Sequence, residues 1–180
     1  PQQANLELNL GILKTGEGDY IAAYNHLSTC LQLISEHRLR ERAIFAKASL
    51  ANLHLLQGQE TEATSLLLEA EAQAEESDAR HELPEIYCLH SQLLLAQNEP
   101  QMALTFAEKA VSLARGLKMD ITLGKGLRFL GQAYLANQQM QQALAAFEQS
   151  NLKLAGQDPY ESACTKLAWG QCLTVEADNT

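Results

Sequence analysis

The chain has 180 residues and a formal net charge of −9, from 13 Lys plus Arg against 22 Asp plus Glu. Leu occurs 32 times and Ala 26 times against two Val and six Ile, a helix-forming alphabet that excludes a β-sandwich. The acidic balance disfavours nucleic acid and anionic membrane as main partners, and no apolar run reaches the length of a membrane span.

In chain order, the apolar spacing predicts a helix over roughly 3–15, a turn at Gly18-Asp19, and a second helix over 20–35. The same pair then recurs. First helices are expected over 41–57, 83–97 and 121–137, and second helices over 60–77, 100–116 and 140–155. A ninth helix opens at Asp158-Pro159-Tyr160-Glu161, where Asp158 supplies an N-cap and Pro159 a helix-compatible first residue. None of the four prolines falls in an expected helix interior.

These pairs align without a gap at a period of 40 residues. A small residue recurs at Gly11, Ala51, Ser91 and Gly131, a turn residue at Gly18, Gly58, Asn98 and Gln138, and an alanine at Ala23, Ala63, Ala103 and Ala143. Small residues belong where two helices cross, because a larger side chain would hold the axes apart. A Gly or Asn after a helix takes the left-handed C-cap conformation cheaply. Large apolar residues follow on the second helices at Leu27, Leu31, Leu67, Phe106 and Phe147. One hairpin cannot bury its apolar face alone, and stacked hairpins can. The expected fold is all-α: an α-α superhelix, a right-handed solenoid of about four and a half helical hairpins with nine helices. The expected domain is single, 1–180, with units at about 1–40, 41–80, 81–120 and 121–158 and a partial unit at 159–180.

Gly18-Asp19-Tyr20-Ile21-Ala22-Ala23, Phe129-Leu130-Gly131-Gln132-Ala133-Tyr134 and Ala143-Leu144-Ala145-Ala146-Phe147 resemble the signature of the tetratricopeptide repeat family. The resemblance covers nearly the whole chain. That family's usual unit has about 34 residues, so this one is longer by about one and a half helical turns. Long units of this kind resemble the repeat domains of bacterial signalling regulators of the maltose-regulator type and of cyclase-linked ATPases, and the adaptors that orient dividing cells. Asp158-Pro159-Tyr160-Glu161-Ser162-Ala163 is similar to linkers of the bacterial group. The resemblance implies a protein-binding module of a larger signalling or transcriptional regulator.

Catalytic chemistry is not visible. Gly124-Lys125-Gly126 lacks the upstream Gly and the following Ser or Thr of a phosphate loop. The histidines His26, His37, His54, His81 and His90 have no ligand-pair spacing. Cys30, Cys88, Cys164 and Cys172 read as reduced thiols. The run Glu69, Glu71, Glu75, Glu76, Asp78, Glu82 reads as a solvated face or a dock for a basic partner. No enzyme activity, cofactor or metal is expected.

In such a superhelix the first helices line the concave wall. Two residues past the position that precedes each small residue, held by Leu10, Leu50, His90 and Leu130, lie Ile12, Asn52, Gln92 and Gln132, and a fifth unit shortened by one residue adds Gln171. Amides carry both donor and acceptor and suit an extended peptide backbone. Lys125 and Arg128 lie earlier on the same wall, at the offsets of Glu85 and Cys88. Chaperone-binding relatives in the resembled family clamp a terminal carboxylate at such positions. Here only these two residues have that chemistry, so the clamp is incomplete. Leu55, Leu95 and Leu135 either floor the groove or pack on the second helices.

The candidate groove residues are therefore Asn52, Gln92, Lys125, Arg128, Gln132 and Gln171. The expected function is a scaffold or adaptor that binds a protein or peptide, with no direct nucleic acid or membrane contact. A small-molecule effector sensor is the alternative, and so is a self-association module using Leu167, Trp169 and Leu173 of the ninth helix. The start at Pro1 is expected of a piece of a larger protein, and reduced cysteines without a signal peptide fit the cytoplasm.

Overall fold

The computed structural model describes residues 2–36 and 40–178, and among these the regular structure is helical throughout. Nine helices are described: α1 (Gln2–Glu17), α2 (Tyr20–Glu36), α3 (Arg40–Leu56), α4 (Glu60–Glu76), α5 (Leu83–Ala96), α6 (Pro100–Gly116), α7 (Asp120–Ala136), α8 (Met140–Leu154) and α9 (Pro159–Asp178). The expected boundaries hold to within about three residues. The chain packs as two compact units, Pro1–Glu82 and Leu83–Thr180.

One turn ends most of the helices. In α7 the Gln139 amide donates to the Tyr134 carbonyl at 2.9 Å and the Gln138 amide to the Leu135 carbonyl at 2.9 Å. This is the Schellman pattern, and it needs a left-handed residue between. The same pair of bonds recurs around Gly18, Gly58, Asp78, Asn98 and Lys118, and all six positions have φ between 53° and 78°. The turn residues expected at the 40-residue period are thus in place, including Gln138, whose side chain gives no help there. Asp19 and Asp158 cap the helices that follow: their Oδ1 atoms accept from the amides of Ala22 at 3.1 Å and Glu161 at 3.0 Å.

Each short connection reverses the chain, so successive helices pack side by side within a unit. Odd-numbered helices also touch one another, α1 with α3, α5 with α7, and α7 with α9. Among the described residues α2 and α4 do not meet, nor do α6 and α8. The first helices therefore form the closer-spaced row within each unit.

The alanines at the crossing, Ala23, Ala63, Ala103 and Ala143, are all fully buried. Gly11 faces Leu27, where an added Cβ would lie 2.6 Å from the side chain, and Gly131 faces Phe147, at 2.8 Å. Ala51 and Leu67 hold the same register, both buried. In the third hairpin the buried pair is Ser91 and Ala107, which corrects the placement of Phe106 in this series. Phe106 lies one residue off the register, half-buried, with its ring stacked on His90 at 4.7 Å. Leu95 and Leu135 pack with the second-helix alanines Ala103 and Ala143, which decides their role as packing residues.

Candidate functional site

The densest chemistry on the first-helix row lies in the second unit. Glu85 of α5 and Lys125 of α7 occupy the same offset in neighbouring hairpins, and their side chains form a close ion pair. Glu161 of α9 reaches in from the other side, with Oε1 3.5 Å from Lys125 Nζ and Oε2 2.6 Å from Arg128 Nη2. The four side chains are between 12% and 22% exposed, so these pairs are shielded from solvent. The Arg128 guanidinium also lies 4.5 Å from the centre of the Phe129 ring.

Burial opposes the charge on Lys125, but the Glu85 and Glu161 carboxylates outweigh it and raise its pKa well above the ordinary value. Lys125 is therefore a fixed cation. Cys88 lies buried beside this cluster; burial first, and the Glu85 charge second, push its thiol far above the usual range. It has none of the thiolate character a nucleophile needs. The structure thus places Lys125 and Arg128 together on the expected face, but with both cations already matched by carboxylates. An incoming terminal carboxylate would have to displace Glu85 or Glu161.

The amides differ. Gln92 and Gln132 are half-buried at equivalent positions of α5 and α7, one turn beyond Cys88 and Arg128. Among the described residues neither side chain has a hydrogen-bond partner. Gln171 is exposed on α9. Asn52 belongs to the first unit, half-buried on α3. Ile12, the apolar member of that series, is exposed on α1.

The first unit has an open cleft of about 290 Å³ lined by Ala4, Leu8, Phe45 and Arg42, where Arg42 Nη1 donates to Asn5 Oδ1 at 2.6 Å. It is not an enclosed chamber. The glycines flanking Lys125 are accounted for by packing, because a Cβ at Gly124 would meet Leu154 and one at Gly126 would meet Val111. His26 bonds Glu7 at 2.7 Å, and His37 lies outside the described residues. Among those described, no group of three or more His, Cys, Asp or Glu side chains is arranged to hold a metal, and no helix is long and apolar enough to cross a membrane. In the acidic run, Glu69 pairs with Lys47 at 2.7 Å, while Glu75, Glu76 and Asp78 are exposed.

A cluster that periodicity does not reveal joins α5 to α6. Tyr87 and His90 meet Phe106, and Lys109 Nζ sits 4.8 Å over the Phe106 ring. Burial, aided by the Lys109 charge, pushes the His90 pKa down to about 4.

Repeated antiparallel hairpins with a polar first-helix row and shielded ion pairs define an all-α helical-repeat protein. The model of the family ChAPs (Chs5p-Arf1p-binding proteins) matches residues 12–157, and the chain belongs to this family. No curated protein matches the chain.

Proposed function

We propose that this chain is a non-catalytic adaptor that binds a protein partner along its first-helix row, with Gln92 and Gln132 as the central contacts. The observation that carries the reading is the pair of equivalent, half-buried amides left without internal partners. Beside them stands a charge cluster that is internally neutral. Amides of this kind offer a donor and an acceptor each to a peptide backbone. The ion-paired residues Lys125 and Arg128 shape the rim, and Asn52 and Gln171 extend the polar row in their own units. Membership of a family named for binding Chs5p and Arf1p supports a protein partner. The finer part of the proposal is a module of a larger cytoplasmic regulator, and it rests on the long repeat unit and the Asp158–Ala163 run.

The family name supplies the probes. Purified Arf1p and Chs5p are passed over the immobilised chain in a surface plasmon resonance assay. At least one is expected to bind, and the Gln92→Ala/Gln132→Ala variant is expected to bind about tenfold more weakly, as loss of about 1.4 kcal/mol of hydrogen bonding implies. The thermal midpoint of the variant should not move. Failure of both proteins to bind, or unchanged affinity in the variant, refutes the proposal.

A further inference from the structure

Within each unit two second helices stand apart on either side of a first helix, and the two units fill that gap in opposite ways. In the second unit the gap between α6 and α8 is closed from below. Leu123 and Leu127 of α7 pack with Val111 and Ala114 of α6 and Ala146 of α8, all five buried in one cluster. Two periods earlier the same positions hold Ala43 and Lys47 of α3, Leu31 and Ile34 of α2, and Leu66 of α4. The sizes are inverted: the middle helix carries a small and a charged residue, and the flanking helices carry the large ones. A ridge of leucines in one unit is thus an open trough of about 820 Å³ in the other, lined by all five of these residues. Ile34 is buried, and Leu31, Ala43 and Leu66 are half-buried.

The charge around the trough has one sign. Lys47 is the only cation among the described residues of the lining, and its Nζ already pairs with Glu69 at 2.7 Å. Glu69 belongs to a stripe on α4: Glu62, Glu69 and Glu76 recur every seven residues and are all exposed. Helix geometry sets this stripe on the side of α4 that lines the trough at Leu66 and Gln73. Helix α4 carries six glutamates and neither Lys nor Arg. Its edge of the trough is therefore anionic, above walls that are apolar.

We propose that the trough between α2 and α4 is a docking site for a basic amphipathic helix of a partner protein. The lining runs along α4 from Leu66 to Gln73, about 10 Å. That is the span of apolar anchors at i, i+3 or i+4, and i+7 on an incoming helix. The anchors stand over Ala43, between Leu31 and Leu66, and supply the bulk that Leu123 and Leu127 supply in the second unit. Lys or Arg beside them meets Glu62, Glu69 and Glu76, and an acidic helix is repelled there. A second copy of this chain fits poorly, because its net charge is −9. Stacking further hairpins on the array adds helices at its ends and leaves a gap between α2 and α4 unfilled. This face is distinct from the first-helix row that carries the adaptor reading, and the proposal stands without that reading.

The probe is a synthetic helix of about 18 residues made of Leu, Lys and Ala, with Leu at i, i+3, i+7 and i+10, Lys on both flanks and a fluorescent label at one end. Anisotropy titrations with the whole chain should show saturable binding with a Kd on the order of 10 μM, weakening as salt is raised. Ala43→Leu/Lys47→Leu rebuilds the ridge of the second unit, where Leu123 and Leu127 are accommodated, and should weaken binding more than about tenfold. Glu62→Gln/Glu76→Gln changes only exposed side chains. It should weaken binding about threefold and flatten the salt dependence, and it tests the site even if the ridge variant does not fold. The same peptide with Glu in place of Lys should not bind. Absence of saturable binding, unchanged affinity in either variant, or equal binding of the acidic peptide overturns the proposal. So does a chain that sediments as a dimer without peptide and as a monomer in Ala43→Leu/Lys47→Leu, which makes a second copy the occupant.

Discussion

Gly131→Ala and Gly170→Ala make the same chemical change at equivalent positions of successive first helices, and the structure assigns them opposite signs. At Gly131 the new Cβ would lie 2.8 to 3.0 Å from three atoms of the Phe147 ring. Carbon atoms pack best at about 3.5–4.0 Å, so the helices must part at the crossing by roughly 0.5–1 Å, or the ring must leave its rotamer. Phe147 is fully buried and has no free side to move into. Overpacking of this kind costs about 1–3 kcal/mol, while replacing Gly by Ala within a helix returns about 1 kcal/mol. The net effect is a loss of about 1 kcal/mol. At Gly170 the Cβ meets nothing, and only the gain of about 1 kcal/mol remains. The two variants should therefore differ by about 2 kcal/mol. For a chain of this length that separates their thermal midpoints by about 4–8 °C, read by far-UV circular dichroism. Adding Phe147→Leu to Gly131→Ala should recover part of the loss. If Gly131→Ala melts at or above Gly170→Ala, the small-residue crossing does not carry the packing assigned to it.

Two further outcomes follow from buried charge. His90 is held neutral in the folded chain, with a pKa of about 4. As pH falls through the ordinary value of about 6.5 the unfolded chain takes up a proton that the folded chain refuses. Stability should therefore decline between about pH 6.5 and 4, by about 3 kcal/mol in all, and urea midpoints of His90→Gln should fall less steeply; parallel slopes would remove His90 as the cause. Lys125→Met leaves Glu85 without its cation, while Glu161 keeps Arg128, and should cost about 1–3 kcal/mol. Glu85→Gln/Lys125→Met should cost at least about 1 kcal/mol less than the two single losses together, and strict additivity would show the pair to be uncoupled.

The fold is legible because it is periodic. Gln138 adopts φ 60° although glutamine has no preference for it; only its alignment with Gly18, Gly58 and Asn98 marks it as a turn. Phe106 shows where residue type misleads, since a large ring one position off the register looks like a core residue until Ala107 is placed. The site was less legible for a definite reason. Lys125 and Arg128 look like an open basic pair when one helix is considered alone. Their neutralisation depends on Glu85 and Glu161, 40 and 33 residues away along the chain. One signal was available: Glu85 and Lys125 share an offset, so they stand on adjacent rungs. Glu161 gave no such signal, because its role in the helix cap explains it equally well. The stacking of His90 on Phe106 follows from side-chain rotamers, which no spacing rule encodes.

The left-handed turn has a consequence for how such a chain can change in length. It closes first and second helices alike, so the backbone itself does not distinguish an inner helix from an outer one. The side chains do: first helices carry the polar row and, in the first and last complete hairpins, the small residues that large side chains of the second helices cover. Removing one helix at a turn would rejoin the backbone cleanly yet exchange the two rows for everything downstream. Gly131 would then face away from any partner large enough to cover it. Removing a whole hairpin would leave every face where it was. Insertions and deletions in this architecture are therefore quantised in pairs of helices, by packing and not by the backbone.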